Sequence, residues 1–410
     1  MRNVAATLAV LGVIIASSTG GGSADPQDFA TVERGRYLVD AADCKSCHTV
    51  PGSNRPFAGG RSIETPFGTL VAPNITPDRD TGIGAWTDDE FDDAVRQGRT
   101  RDGSYLYPAM PFPYYARMSR GDVDAIRAYL NTVTAVHNDV RGSQLPFPLN
   151  IRSEMMVWDR LYFKPGKFQA HTDKSEQWNR GAYLVQGPGH CGACHTPKTV
   201  LGGDESSKLF RGYALQGWFA PDITSGQGAL ADWSADDIAT YLKTGHNRHA
   251  AAAGLMGEVV DLSTSKMNDA DLKAIAVYLK DVSGSARSNA ATADHDVLAA
   301  GGAIYQDLCS ACHAADGKGV PNLFPDLSET ATVSATDPTT VLRVVLQGAQ
   351  SVATDQEPTG PAMPAFGWQL NDGQVAAVAS YIRDRFGKKA SAVTEQQVQK
   401  MRAQLATSHY

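Results

Sequence analysis

The chain has 410 residues, of which 42% are hydrophobic and 20% charged, a composition typical of soluble globular proteins. At roughly 100 to 200 residues per domain, this length predicts two to four domains. The net charge of −7 argues against nucleic acid as a partner, because phosphate binding needs a concentrated basic surface and the sequence has no basic run.

The N-terminus has the layout of a secretory signal peptide. Arg2 precedes an apolar run from Val4 to Ala16, and small residues follow as far as Ala24. The run is shorter than the roughly 20 residues that span a bilayer, which favours cleavage after Ala24 over a short transmembrane anchor. We therefore expect 1–24 to be a signal peptide and the mature chain to be exported to an oxidising compartment.

All six cysteines lie in three copies of one motif, Cys-x-x-Cys-His. This spacing is typical of c-type haem attachment, since one helical turn presents two thiols to the porphyrin and the histidine reaches the iron. A zinc site would need a second pair of ligands, and a disulfide would not need the histidine. The motifs therefore predict three haem c groups, bound covalently by Cys44, Cys47, Cys191, Cys194, Cys309 and Cys312, with iron ligands His48, His195 and His313.

The three motifs begin three related segments. A Pro-x-apolar turn follows each motif, and each segment closes on an amphipathic helix with an aromatic-aliphatic pair that starts at Tyr129, Tyr278 or Tyr381. Between these landmarks, Thr87 and Ser234 each precede an acidic residue by three positions, a pattern that predicts a capped helix start. In the third segment, Thr339–Gly348 fills the same place.

Methionines are the candidates for the second axial position. The positions 11 residues before the closing tyrosines hold Met118, Met267 and Leu370, and the leucine predicts that these are core residues. The remaining candidates lie further upstream and are Met110, Met256 and Met363. Met110 and Met363 each stand in Pro-Ala-Met-Pro, where two prolines stiffen a loop that can hold a thioether against iron.

The second segment leaves more than one ligand open. Met256 lacks the flanking prolines, and His246 and His249 precede it, so the second haem has either a methionine or a second histidine. His190 immediately precedes Cys191 and is not directed at the iron. We expect His190 to pack near the haem edge or its propionates.

The predicted fold is all-α, with three tandem class I cytochrome c domains at 25–135, 177–282 and 297–388. The linker 136–176 is rich in proline and aromatics, which favours packing across domains or onto a partner. The linker 283–296 is small and polar and is predicted to be flexible. A tail helix within 389–410 carries a narrow apolar stripe, which packs on the third domain or docks on a membrane or subunit.

Three haem modules with both axial positions filled indicate electron transport rather than bond-making chemistry. The runs GRYLVDAADCKSCHT, PFAGGRSIETPFGTLVAPNITPDRDTGIGAWTDDEF, LYPAMPFPYYARM and RGAYLVQGPGHCGACHTPK resemble the tri-haem cytochrome c subunits of bacterial membrane-bound dehydrogenases. Such subunits serve quinoprotein alcohol dehydrogenases and flavin-dependent sugar or polyol dehydrogenases. By that resemblance, the iron ligands opposite histidine are Met110, Met256 and Met363.

The resemblance also implies partners and a location. It implies a large dehydrogenase subunit of flavin, pyrroloquinoline quinone or molybdenum type, with or without a small third subunit. It further implies ubiquinone as electron acceptor and a place on the membrane surface, at the periplasmic face of the bacterial inner membrane. Two other functions stay open, a multihaem peroxidase with an open position opposite His195 and a soluble periplasmic electron shuttle.

Overall fold

The computed structural model describes residues 29–226, 228, 230–284 and 293–407. The expected signal peptide, 1–24, lies outside the described residues, and so do positions 285–292 of the linker predicted to be flexible. Within the described ranges, no helix is both long enough and apolar enough to cross a bilayer.

The described chain is mostly helical, as predicted. The α-helices are α1 Phe29–Ala41, α2 Cys44–His48, α3 Asp88–Asp92, α4 Phe112–Tyr115, α5 Arg120–Leu130, α6 Met155–Tyr162, α7 Glu176–Gln186, α8 Gly192–His195, α9 Ala235–Thr244, α10 Gly254–Leu262, α11 Asp269–Asp281, α12 His295–Leu308, α13 Ser310–His313, α14 Ala331–Ser334, α15 Thr339–Gln347, α16 Asp372–Arg385 and α17 Glu395–Thr407. A π-helical turn, Asp93–Gln97, extends α3, and 3₁₀ turns lie at Arg152–Glu154, Ser206–Lys208 and Thr264–Lys266.

Three two-stranded antiparallel sheets add to the helical fold that the sequence predicts. Their strands are β1 Ser62–Thr65 with β2 Gly68–Val71, β3 Tyr213–Leu215 with β4 Trp218–Ala220, and β5 Ala349–Gln350 with β6 Ala362–Met363. Ser62 faces Val71 in the first hairpin, and Tyr213 faces Ala220 in the second. These two hairpins lie just before the Pro-x-apolar turns of their segments, whereas the third sheet places Met363 opposite Ala349.

The predicted helix starts are confirmed by their capping interactions. The Thr87 hydroxyl accepts a hydrogen bond from the Glu90 amide at 3.2 Å, and the Glu90 carboxylate accepts one from the Thr87 amide at 2.7 Å. Ser234 and Asp237 form the same reciprocal pair at 3.0 and 2.8 Å. Each box satisfies two amides that have no partner inside the helix, which fixes where α3 and α9 begin.

In each segment the first and last long helices cross at a glycine. A Cβ added at Gly35 would lie 1.9 Å from the Ala125 carbonyl oxygen, so only glycine allows α1 and α5 to approach this closely. The equivalent crossings join Gly181 to Ala274 and Gly301 to Ala377, and the closing tyrosines lie at the same three contacts.

Each segment has its own apolar core. Met118, Met267 and Leu370 are buried in three separate clusters, which confirms that this position serves packing. The tail helix α17 buries Val398 and Met401 in the third cluster. The apolar stripe of the tail therefore packs on its own segment, the first of the two alternatives.

The first two segments contact each other reciprocally. The Tyr37 hydroxyl of α1 donates a hydrogen bond to Asp271 of α11 at 2.5 Å, and the Tyr183 hydroxyl of α7 donates one to Asp122 of α5. Each aspartate also binds an arginine of its own segment, Arg180 in one case and Arg34 in the other. The two cross-contacts are reciprocal, because each segment donates a tyrosine hydroxyl of its first helix to an aspartate on the last helix of the other.

Candidate haem-binding sites

Each Cys-x-x-Cys-His motif lies on or against a short helix. α2 runs from Cys44 to His48, whereas α8 and α13 begin one residue after the first cysteine of their motifs. All six cysteines are free thiols, and none forms a disulfide. One helical turn therefore separates the paired thiols, as the attachment of a porphyrin requires.

A proline carbonyl orients the histidine in the first two motifs. Nδ1 of His48 lies 2.8 Å from the Pro73 oxygen, and Nδ1 of His195 lies 2.7 Å from the Pro221 oxygen. An Nδ1–H that donates to a carbonyl leaves Nε2 unprotonated, the state in which imidazole ligates iron. Burial lowers the pKa of both histidines, which also favours the neutral ring.

The third histidine is held less tightly. Burial lowers the pKa of His313, and its Nδ1 has no hydrogen-bond partner among the described residues. The three prolines were recognised in the sequence only as landmarks of the repeat. Pro73 and Pro221 follow His48 and His195 by 25 and 26 residues, and this shared spacing was the signal that could have identified them as orienting groups.

The second and third sites open into one cavity of about 440 Å³. Its walls are largely apolar and include Trp218, Tyr241 and Phe366. The predicted site residues that line it are Cys191, Cys194, His195 and Met256 from the second segment and Cys309, Cys312, His313 and Met363 from the third. Thiols, imidazoles and thioethers around an apolar space are the donor set of haem c, so these residues fit that group.

The first site is built in the same way around its own core. Cys44 and Met110 pack against the first apolar cluster, and the His48 side chain is buried. Met110 lies in a loop, where its amide donates to the Tyr107 carbonyl at 3.0 Å and its carbonyl accepts from the Phe112 amide at 2.8 Å. The proline-flanked loop predicted for Met110 is therefore present.

Met256 differs because it lies on a helix, α10. Gly254, at the start of α10, packs against the Trp218 ring, and the preceding Ala252 carbonyl accepts a hydrogen bond from Val352 of the third segment at 2.8 Å. Two residues beyond Met256, Glu258 pairs with Arg61 of the first segment, with one contact at 2.9 Å. Contacts with both neighbouring segments thus hold this helix.

His246 and His249, the alternative ligands of the second haem, do not line the cavity. His249 is buried, stacks on Trp233 with ring centroids 5.1 Å apart, and lies 2.5 Å from the Glu329 carboxylate. His246 is buried, and neither of its ring nitrogens has a hydrogen-bond partner among the described residues. The arrangement favours Met256 as the candidate ligand.

A junction between the first two motifs was missed by sequence reasoning. Asp43 and His190, the residues before Cys44 and Cys191, both have positive φ, at 51° and 34°. The His190 ring lies 5.6 Å from that of Tyr115 in the first segment, in keeping with the expected packing role. Burial raises the pKa of Asp43 to about 8 and lowers that of His190 to about 4, so both side chains are neutral at the junction near pH 7.

Comparison with known proteins adds three findings. Residues 32–134 and 298–385 match the cytochrome c family. The chain is 37% identical to the gluconate 2-dehydrogenase cytochrome c subunit of Pantoea cypripedii, over 96% of this chain and 94% of the relative. It is 36% identical to the fructose dehydrogenase cytochrome subunit of Gluconobacter japonicus, over 91% of this chain and 83% of the relative. It is also 36% identical to the cytochrome c subunit of alcohol dehydrogenase (quinone) of Gluconobacter oxydans, over 95% of this chain and 86% of the relative.

Proposed function

The chain belongs to the family of cytochrome c subunits of membrane-bound dehydrogenases, and from this membership we propose that it carries electrons from a catalytic subunit to ubiquinone. The partner subunit oxidises an alcohol, a sugar or a polyol; the names of the relatives that support this give gluconate, fructose and alcohol as substrates. The place of action is the periplasmic face of the inner membrane. The observation that carries the proposal is the set of three Cys-x-x-Cys-His motifs, two of which face a common apolar cavity.

The site residues divide the work of holding three haem c groups. The six cysteines would hold the porphyrins through thioethers, and His48, His195 and His313 would supply the imidazole ligands to iron. Met110, Met256 and Met363 would supply the thioether ligands. When bound, haem c supplies one-electron chemistry at its iron.

The protein's own groups favour electron transfer over other haem reactions. Thioether ligands stabilise ferrous iron, and apolar walls keep water away from it, so both act to raise the reduction potential. The carbonyls of Pro73 and Pro221 hold the imidazoles of His48 and His195 in one orientation. This restraint limits how far these side chains would move when a bound haem gains or loses an electron. If a histidine and a methionine of the chain ligate each iron, a peroxide or another substrate would have no position at which to bind.

The shared cavity supports transfer between the second and third sites. Residues of both motifs line one cavity, so the ligands of the second and third sites face the same space. The first site adjoins the second where the His190 ring packs against Tyr115. Burial raises the pKa of Cys194 to about 11, and the nearby Cys47 and Asp43 add to that shift, as expected when the first two motifs are close neighbours.

Purification of the full chain with its complex tests the proposal. We expect a large dehydrogenase subunit to co-purify, three covalently bound haems per chain, and reduction of all three when the substrate of the large subunit is added. Reoxidation by a ubiquinone analogue should follow. A chain that purifies alone, or a high-spin haem near neutral pH together with peroxide turnover, would instead support a soluble shuttle or a peroxidase.

A further inference from the structure

The linker between the first two segments exposes a group of apolar side chains. Six of them are between 38% and 79% exposed, and they are called here the linker patch: Phe147, Leu149, Ile151, Met156, Val157 and Leu161. Single exposed apolar residues are common on soluble proteins, whereas a concentration of them in one short segment marks a binding surface.

The helix α6 shows that this exposure does not come from a disordered chain. Trp158 is buried, with its ring 6.2 Å from that of Phe112, and its indole nitrogen donates to the Leu201 carbonyl at 3.0 Å. Met156, Val157 and Leu161 lie on the opposite, exposed side. The helix therefore has two apolar faces, and only one of them packs against the protein.

The charge around the linker patch is opposite to that of the whole chain. Residues 141–168 contain two acidic and five basic positions, although the chain has a net charge of −7. The five basic side chains are all exposed and are called here the basic rim: Arg141, Arg152, Arg160, Lys164 and Lys167. Apolar and basic side chains that alternate on one exposed surface are typical of segments that lie in the headgroup region of an anionic bilayer.

The fold also fixes where this surface lies relative to the candidate sites. The Tyr107 hydroxyl donates to the Leu149 carbonyl at 2.9 Å, and Arg152 donates to the Tyr105 carbonyl at 2.9 Å. Tyr105 and Tyr107 precede the loop that carries Met110. The linker thus packs against the ligand loop of the first site.

We propose that the linker patch and the basic rim bind the surface of a bilayer that contains anionic lipids. Aliphatic side chains enter the headgroup boundary, and the long basic side chains reach lipid phosphates from the edge of the patch. The basic rim gives this segment a positive charge that complements the phosphates of anionic lipids, and this complementarity is the reason for choosing a bilayer as the partner. This binding would bring the loop of Met110 to the membrane, and only that consequence rests on the function proposed above.

Vesicle flotation of the full, haem-loaded chain tests the proposal. Vesicles of phosphatidylcholine alone are compared with vesicles that also contain phosphatidylglycerol. The patch variant is Val157→Ser/Leu161→Ser, and the rim variant is Arg160→Glu/Lys164→Glu. Matched controls are Trp368→Ser, which alters an exposed apolar residue of the third segment, and Lys389→Glu, which alters an exposed charge there.

We expect the wild-type chain to float with the anionic vesicles and to detach as salt is raised. The rim variant should need about tenfold more anionic lipid for half-maximal binding. The patch variant should need at least about tenfold more anionic lipid as well, because burial of apolar side chains in the bilayer contributes to attachment. The two controls should bind like the wild type.

Three results would overturn the proposal. One is equal binding of the wild-type chain and the patch variant to anionic vesicles. The second is a patch variant that binds vesicles normally but no longer co-purifies with the large subunit, which would make the patch a protein interface. The third is a dimer that forms with the wild-type chain and not with the patch variant. Haem content and reduction by the dehydrogenase are measured separately, so a failed function and a failed membrane contact give different results.

Discussion

The segments of Met256, Met110 and Met363, the three candidate iron ligands, are held in place by different means. Met110 and Met363 stand between prolines, which restrict the backbone locally. Met256 lies on α10, which is held by contacts with the neighbouring segments. Arg61 of the first segment binds Glu258, and Val352 of the third segment binds the Ala252 carbonyl. A ligand segment can therefore be held by its own sequence or by its neighbours, and only the first kind is visible in a local motif.

The largest effect is expected from Met256→Ala. Under the proposed ligation, the second haem loses its methionine ligand and its reduction potential falls. About one third of the methionine–iron absorption then disappears. Redox titration followed by absorption spectroscopy measures both changes. Met267→Leu is the matched control, because Met267 is buried in the same segment but in its core, and this change should cost under about 1.5 kcal/mol without altering the absorption. An unchanged absorption in Met256→Ala would place another ligand on the second iron.

The next effect is expected from Glu258→Gln, which breaks the contact that holds α10 to the first segment. Both side chains are largely buried, with 27% exposure for Glu258 and 11% for Arg61, so we expect a loss of about 2 kcal/mol in the free energy of unfolding. Because α10 would be held less firmly, added imidazole should displace Met256 from the haem iron more readily.

A surface ion pair provides the control for this change. Arg101→Gln removes the more exposed contact between Arg101 and Glu90, and it should cost under about 1 kcal/mol without changing imidazole binding. Equal effects of the two substitutions, measured by denaturant unfolding and ligand titration, would contradict the bracing of Met256 by the first segment.

A smaller effect is expected from His246→Leu, and it separates the two ligand sets. Because neither ring nitrogen of His246 has a partner among the described residues, an apolar replacement should leave stability unchanged or raise it by about 1 kcal/mol. The haem absorption should not change. His249→Leu removes a stacked and paired ring and should destabilise the chain more. A new high-spin haem in His246→Leu would instead favour ligation by two histidines at the second iron.

The smallest effect is expected from Pro364→Ala. Greater freedom of the unfolded chain should lower the free energy of unfolding by about 0.4–1 kcal/mol, and only the third haem should become easier to attack with added ligand. Pro358→Ala, at an exposed position of the same long loop, should cost a similar amount and leave the third haem unaffected. If both variants alter that haem equally, the proline next to Met363 has no special role.

Local patterns in the sequence predicted the parts of the fold that local chemistry decides. Thr87 and Ser234 marked helix starts because a capping box needs only four consecutive residues. The repeated tyrosines marked the closing helices, and the core position of Met118 followed from the leucine found at the same place in the third segment.

Long-range contacts could not be predicted in this way. The helix that carries Met256, α10, has no capping side chain at its start. It is held instead by contacts with residues far away in the chain, such as Arg61. The cavity shared by the second and third sites, and the junction of Asp43 with His190, depend on how whole segments pack. No motif records that packing, so the sequence predicted three separate sites instead of a connected set.

The reciprocal contacts of the first two segments have a consequence for the history of the chain. When residue i of one unit contacts residue j of another, and j of the first contacts i of the second, the pair has the geometry of a symmetric homodimer. Tyr37 with Asp271 and Tyr183 with Asp122 satisfy that relation inside a single polypeptide. A one-haem ancestor that paired with its own copy, followed by gene duplication and fusion, would leave this pattern.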